Sequence, residues 1–330
     1  MKRFTSMSIL RFRALRNHCF LWVVILFYDF YAFEARYIAY ILPIFLIDIW
    51  LTLSLESIFL LPVEREDREL KDGWKWNTLV VDNYPVRYLV KNIDHNKPLA
   101  VVIHGWNSTA ANMAGRGELY ERMGYNVVLF EMRAHGGNKP VEQWAVMHVC
   151  HDLEVALGLF ANKGWLENGF VVHGHSLGGF VAQRVLDLNF NGFKHSMALI
   201  LESPVTSYVY INSRTCELLR IPKALHKWLM LRALRYYNRV VPDEFRIRSM
   251  ETLSIPNWGL PDCPTILIQA KYDATLGLKH AQLLIDTHSK IKSNFQYYIL
   301  DELKHANERH NSVRDEILFD WFEDQSLLFN

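Results

Sequence analysis

Phe170-Val171-Val172-His173-Gly174-His175-Ser176-Leu177-Gly178-Gly179-Phe180-Val181 decides the architecture of this chain. Its first residues form a short apolar run of the kind a strand buried on both faces requires. A glycine-flanked serine follows, in the pattern G-x-S-x-G, and then a run with helical spacing. The five letters alone arise by accident in about one chain in ten of this length. Their position between a buried strand and a helix makes accident a poor explanation. A serine at so sharp a strand-to-helix turn takes a strained backbone, and its neighbours two positions away approach the chain too closely for a Cβ. Gly174 and Gly178 supply that room. The turn lifts the Ser176 hydroxyl above the sheet edge, where the N-terminus of the following helix faces developing negative charge.

Strands and helices alternate on both sides of this turn. Upstream, Thr78–Asp82 and Val86–Lys91 read as a hairpin turning at Asn83-Tyr84-Pro85. Leu99–Ile103 and Asn126–Glu131 are buried strands, Ala111–Met123 and Val141–Phe160 helices. Downstream, Leu177–Leu188 is a helix, Met197–Leu201, Thr265–Gln269 and Phe295–Leu300 are strands, and Lys279–Lys290 and Asn311–Asp324 are helices. This order predicts an α/β fold with a mostly parallel sheet and helices on both faces. Between Ser203 and Pro264 no buried strand is legible. Leu218, Leu219, Ile221, Leu225, Trp228, Leu229 and Leu231 are instead interleaved with Arg220, Lys223, Lys227, Arg232 and Arg235. That pattern is a helical insertion, placed at residues 205–260. Two roles fit it: a lid or membrane contact, or a cap whose apolar face packs on the core.

A nucleophilic serine needs a base, and the base an orienting acid. Asp273 follows the strand Thr265–Gln269 and His305 follows Phe295–Leu300, so both are expected at the sheet edge that carries Ser176. Ser176 is thus the candidate nucleophile, His305 the base and then acid, and Asp273 the orienting carboxylate. Glu202 and His310 are the rival acid and base. His104-Gly105-Trp106 closes the strand Leu99–Ile103, and the backbone N–H groups of Trp106 and Leu177 are the expected oxyanion donors. His104 reads as a structural hydrogen-bonding residue.

With these residues placed, the chain from Thr78 onward resembles the α/β-hydrolase superfamily, near its serine aminopeptidase-like and monoglyceride lipase-like members. The motifs that carry the resemblance are His104-Gly105-Trp106, Arg133-Ala134-His135-Gly136, Gly174-His175-Ser176-Leu177-Gly178, Asp273 and His305. It implies an α/β-hydrolase fold with a helical cap. Ala134 and Ala270 stand where the resemblance leads one to expect glycine, and both positions concern turn geometry rather than chemistry.

The N-terminus adds an apolar segment. Lys2, Arg3, Arg11, Arg13 and Arg16 precede a run from Cys19 to Leu61 that is interrupted by Asp29, Glu34, Arg36, Asp48 and Glu56. A basic flank and a long apolar stretch without a small-residue cleavage site predict an anchor of transmembrane helices. Either Phe20–Phe33 and Tyr37–Leu61 form a hairpin turning at Glu34–Arg36, or only the second run spans. Residues 1–18 then form a basic cytoplasmic N-terminus, 19–61 the anchor, 62–74 a polar linker and 75–330 the catalytic domain.

The remaining signals are negative or weak. Of 330 residues, 50% are hydrophobic, and the formal net charge is +1. Such a balance gives no field for nucleic acid. Cys19, Cys150, Cys216 and Cys263 form no CxxC pair and no disulfide framework. His148-Val149-Cys150-His151-Asp152 matches an HxxxD pattern, but mid-helix. Neither it nor a helical metal site at His148, His151 and Asp152 is expected to function. Asn107-Ser108-Thr109 is a glycosylation acceptor only if the domain faces outside. No phosphate loop or dinucleotide fingerprint appears, and no cofactor or metal is expected. The expected activity is a membrane-anchored serine hydrolase cleaving ester or thioester bonds of small or lipid-like acyl substrates. A serine peptidase and a catalytically idle scaffold are the alternatives.

Overall fold

The computed structural model describes residues 9–33, 35–58, 61–63, 65, 70, 73–187, 196–291, 293–306 and 309–329. Residues 1–8 of the basic N-terminus, Glu34 in the expected hairpin turn, most of the charged stretch 64–72 and Leu188 lie outside them. The chain divides into two compact units, Met1–Leu61 with Val141–Trp144 and Asn212–Arg246, and Pro62–Pro140 with Ala145–Ile211 and Ile247–Asn330.

The larger unit is built on an eight-stranded sheet in the order β1-β2-β4-β3-β5-β6-β7-β8. The strands are β1 (Lys75–Val81), β2 (Tyr84–Val90), β3 (Leu99–Ile103), β4 (Asn126–Phe130), β5 (Phe170–His175), β6 (Ser196–Glu202), β7 (Thr265–Ala270) and β8 (Phe295–Leu300). The first two pairings are antiparallel. All others are parallel. β3, β4 and β5 are buried at every position. That is why Leu99–Ile103, Val127–Phe130 and Phe170–Val172 are unbroken apolar runs and do not alternate. Ala100 and Val102 face a cluster with Leu119 and Tyr120 of helix α3 (Ala114–Arg122) and Leu318, Trp321 and Phe322 of α9 (Ser312–Asp324). On the sheet, Tyr88 meets Phe160 of α4 (Val146–Asn162) edge to face at 5.3 Å. α5 (Leu177–Leu186) and α8 (Lys279–Ile291) complete the helical layers.

The hairpin turn differs from expectation. Asp82 and Asn83 turn the chain at φ 48° and 65°, and Tyr84 and Pro85 belong to β2, with Pro85 opposite Val80. Two consecutive left-handed residues match the right-handed twist of the flanking strands, which Tyr84-Pro85 cannot do because proline fixes φ near −65°.

Sequential strands depart from β3 in opposite directions, β4 on one side and β5 on the other. Parallel strands end at one edge of the sheet, and the reversal opens a crevice at their carboxyl ends. The loops after β3, β5, β6, β7 and β8 meet at that edge.

The smaller unit contains α1 (Ile9–Phe33), α2 (Ile38–Ile58), most of α6 (Tyr208–Leu218) and α7 (Lys223–Val240). α1 and α2 are joined by a short turn with Ala35 at φ 63°. Trp22 and Phe45 pack at 5.5 Å. Among the described residues, no helix is long and apolar enough to cross a membrane, so the expected transmembrane helices are not found. α1 starts within the basic flank, and α2 holds Pro43 and Asp48. Asp48 is not turned to lipid: it accepts from Trp22 Nε1 at 2.8 Å and pairs with Arg232 of α7. Arg232 also donates to Thr52 Oγ1 at 2.8 Å. Leu51, Cys216, Ile221 and Leu229 bury one another beside this pair. The apolar face of α7 therefore packs on α2.

Candidate active site

The turn after β5 carries Ser176 at φ 52°, ψ −116°. No ordinary L residue favours that conformation, and such strain costs on the order of 1–3 kcal/mol. The surroundings impose it. Ser176 N–H donates to the Glu202 carbonyl at 2.9 Å, and its own carbonyl accepts from Val205 N–H at 2.9 Å and Gly179 N–H at 3.1 Å. A Cβ at Gly174 would lie 2.4 Å from Gly179 Cα, and one at Gly178 would lie 2.4 Å from the Ile103 carbonyl oxygen. A Cβ at Gly105 would lie 3.0 Å from Ser176 Cβ. The end of β3 thus passes directly beside the serine, as the pairing of Ile103 with Gly174 requires.

His305 bridges Ser176 and Asp273. Its Nε2 lies 3.0 Å from Ser176 Oγ and its Nδ1 lies 2.8 Å from Asp273 Oδ2. A carboxylate only accepts, so Nδ1 carries the ring proton and Nε2 is left as acceptor for the serine hydroxyl. Asp273 is held in turn by Gln269 Nε2 at 3.2 Å and by the N–H groups of Thr275 and Leu276, each 2.9 Å from Oδ1. Burial works against its charge, but the hydrogen bond and charge of His305 and these two N–H groups outweigh it. The Asp273 carboxyl is held below its ordinary value. Ser176 and Asp273 are themselves nearly buried.

The rivals are engaged elsewhere. Glu202 pairs with Arg116, whose Nε lies 2.7 Å from Oε2, and lies 3.3 Å from His173 and 3.6 Å from Arg314. Burial opposes its charge, yet the two guanidinium groups hold its carboxyl well below the ordinary range. This is a buried ion network beneath the site. His310 is exposed, 3.9 Å from Glu118. His104 is fully buried, with Nε2 2.9 Å from Glu131 Oε1 and 3.1 Å from Met132 N. Asp152 of the HxxxD pattern is clamped by Arg133, with Nε 2.8 Å from Oδ2. His151 faces Asp82 at 3.2 Å.

Trp106 follows Gly105 at the end of β3, with its ring edge-on to His135 at 5.1 Å. Leu177 is the first residue of α5, so its N–H belongs to the set that has no partner within the helix. Trp106 follows Gly105, at which a Cβ would lie 3.0 Å from Ser176 Cβ, and Leu177 is the next residue after Ser176. Ala134 adopts φ 62°, a position where glycine would be unstrained. Ala270 lies within β7, its N–H donating to Ser203 Oγ at 3.1 Å, and takes no strain from its Cβ.

One contact has no counterpart in the sequence reading. His175 Nε2 lies 2.6 Å from the His305 carbonyl oxygen, and a carbonyl only accepts, so the His175 N–H holds the His305 backbone. Burial, with the charges of Arg116 and His305, lowers its pKa to about 3 and keeps the ring neutral. His175 occupies a variable letter of G-x-S-x-G, and only the sheet brings it to residue 305. Its adjacency to the serine is the one signal that could have raised it.

Helices on both faces of a mostly parallel sheet, with serine, histidine and aspartate meeting above its strand ends, define the class of α/β hydrolases. The chain belongs to the alpha/beta hydrolase family, whose model matches residues 100–300. Among solved structures it is similar to an esterase of Pyrococcus furiosus, at 17% identity and TM-score 0.59, covering 81% of this chain and 97% of that one. A Thermogutta terrifontis esterase phosphoramylated by tabun aligns at 14% identity and TM-score 0.57, over 79% and 98% of the two chains. An α/β hydrolase from Vibrio vulnificus aligns at 16% identity and TM-score 0.53, over 77% and 80%. No curated protein matches the sequence significantly.

Proposed function

We propose that the protein is a serine hydrolase that cleaves ester or thioester bonds of lipid-like or other apolar acyl substrates at a membrane. The observation that carries this reading is the unbroken chain of hydrogen bonds from Ser176 Oγ through His305 to Asp273. In the proposed reaction Ser176 Oγ attacks the acyl carbonyl carbon while its proton passes to His305 Nε2. Asp273 orients the ring and stabilises the imidazolium, and the N–H groups of Trp106 and Leu177 receive the charge that develops on the carbonyl oxygen. Collapse breaks the bond to the leaving group, which takes the proton from His305, and leaves an acyl ester on Ser176. Water then repeats the sequence, with His305 removing its proton, and releases the acid.

The membrane part rests on α1 and α2. They expose Phe20, Phe27 at 69%, Tyr31 at 84%, Tyr40 and Ile44. So much apolar surface outside water is favourable where lipid can cover it. Anchoring of this kind is proposed as seating in a leaflet.

A fluorophosphonate probe tests the nucleophile. The wild-type protein should label at a single site, Ser176→Ala should not label, and His305→Ala and Asp273→Ala should label at least about 100-fold more slowly. Equal labelling of wild type and Ser176→Ala refutes the reading.

A further inference from the structure

α7 presents two faces. Leu229, Ala233, Tyr237 and Val240 are buried, and Leu229 packs on Leu51 of α2. The opposite side exposes Lys223, Lys227, Trp228, Leu231, Arg235 and Arg239. Lys223, Lys227, Leu231, Arg235 and Arg239 recur every four residues and so form one stripe along the helix. No aspartate or glutamate occurs between Lys223 and Val240. A helix that merely packs on a core has no need of two large apolar side chains on its outer face, yet Trp228 is 47% and Leu231 44% exposed. The Arg232 guanidinium stands 5.0 Å from the Trp228 ring centroid, which fixes the indole on this face.

Cationic groups surrounding an exposed tryptophan and leucine match an interface whose outer layer is anionic and whose next layer is apolar. A nucleic acid would complement the charge and leave Trp228 and Leu231 in water. An acidic protein would have to bring its own apolar pocket. A leaflet supplies both layers. The compact unit that carries this face also carries the exposed apolar residues of α1 and α2. We infer that the outer face of α7 is a docking surface for anionic lipid headgroups, with Lys223, Lys227, Arg235 and Arg239 meeting the phosphates and Trp228 and Leu231 entering the boundary beneath them.

This inference rests on the membrane reading above and adds to it the lipid charge that is recognised. Each basic side chain near an anionic surface is worth roughly fivefold in partitioning. The test is co-sedimentation of the full chain with phosphatidylcholine vesicles, with or without 30% phosphatidylserine, at low and at physiological salt. Binding should be at least about tenfold tighter to the phosphatidylserine vesicles and should weaken with salt. A Lys223→Glu/Lys227→Glu/Arg235→Glu/Arg239→Glu variant should lose that preference and keep its turnover of a short soluble ester, which reports that it is folded. Trp228→Ala with Leu231→Ala should weaken binding to both kinds of vesicle. Equal binding of wild type to the two kinds overturns the inference and leaves the membrane reading standing, as does an unaltered preference in the charge-reversed variant. Absence of binding to any vesicle overturns both. Binding that Trp228→Ala/Leu231→Ala leaves unweakened on both kinds of vesicle refutes insertion. Should the charge-reversed variant fail to fold, Lys223→Gln/Lys227→Gln/Arg235→Gln/Arg239→Gln is the substitute, with the same expected loss.

Discussion

At the scale of single residues, the site is a chain of groups each held by the next. Asp273 has three donors besides His305, and His305 is fixed at its ring by Asp273 and at its carbonyl by His175. Truncating His175 frees the backbone on which the base is mounted. His175→Ala should lower kcat about tenfold, the value of one hydrogen bond in barrier terms, with KM within about twofold. His175→Gln, whose amide can still donate to the carbonyl, should recover part of the loss. Steady-state kinetics on a soluble ester separate this from general destabilisation, which would reduce active enzyme without changing the rate of fluorophosphonate labelling per active site. The meeting of Ser176, Asp273 and His305 was legible because each lies just beyond the carboxyl end of a parallel strand, and parallel strands bring those ends to one edge. His175 was not, because its partner is a backbone atom and no residue pattern announces one. The pairing of Glu202 with Arg116 was hidden for a different reason: Arg116 lies on a helix and gives no sign in sequence that it points under the sheet.

At the scale of elements, the strand-to-helix turn is defined by contacts that exclude a side chain. A methyl at Gly178 would meet two carbonyl oxygens of the β3 end, Ile103 at 2.4 Å and His104 at 2.7 Å, and backbone cannot yield. Gly178→Ala should destabilise by about 3 kcal/mol or more and displace the serine. Gly158 is the opposite case. It lies within α4, and a Cβ there meets nothing within 4 Å. Gly158→Ala should stabilise by about 0.5–1 kcal/mol through helix propensity alone. Thermal melts of the two variants check both signs. The strands from Leu99 to Ala270 were readable nearly to the residue, because nearly continuous burial leaves a continuous apolar string. The hairpin turn begins one residue and ends two residues earlier than expected, because Asp82 and Asn83 make the bend and Pro85 belongs to the strand. The helices of the insertion were visible but their partner was not. Amphipathicity says that α7 buries a face, and nothing in it says that α2 receives that face.

For the molecule as a whole, buried neutral histidines set the response to acid. Burial is the leading cause that lowers His135 to about 3, His175 to about 3 and His280 to about 4, whereas an unfolded histidine titrates near 6.5. Below that value the unfolded chain binds protons that the folded chain refuses. Stability from these groups is therefore complete above pH ~6.5 and is lost as the pH falls toward 4, at about 1.4 kcal/mol per pH unit for each. Urea midpoints measured between pH 7.5 and 4.5 should fall steadily. A flat profile would mean that these rings are charged in the native state. The pairing of Asp48 with Arg232 has a consequence in time. The two residues are 184 apart in the chain. A ribosome adding about 5–20 residues per second makes the apolar helices on the order of ten to forty seconds before the arginine that neutralises their aspartate. During that interval Asp48 has the Trp22 N–H as a partner but no cation, so its charge goes un-neutralised until α7 is made.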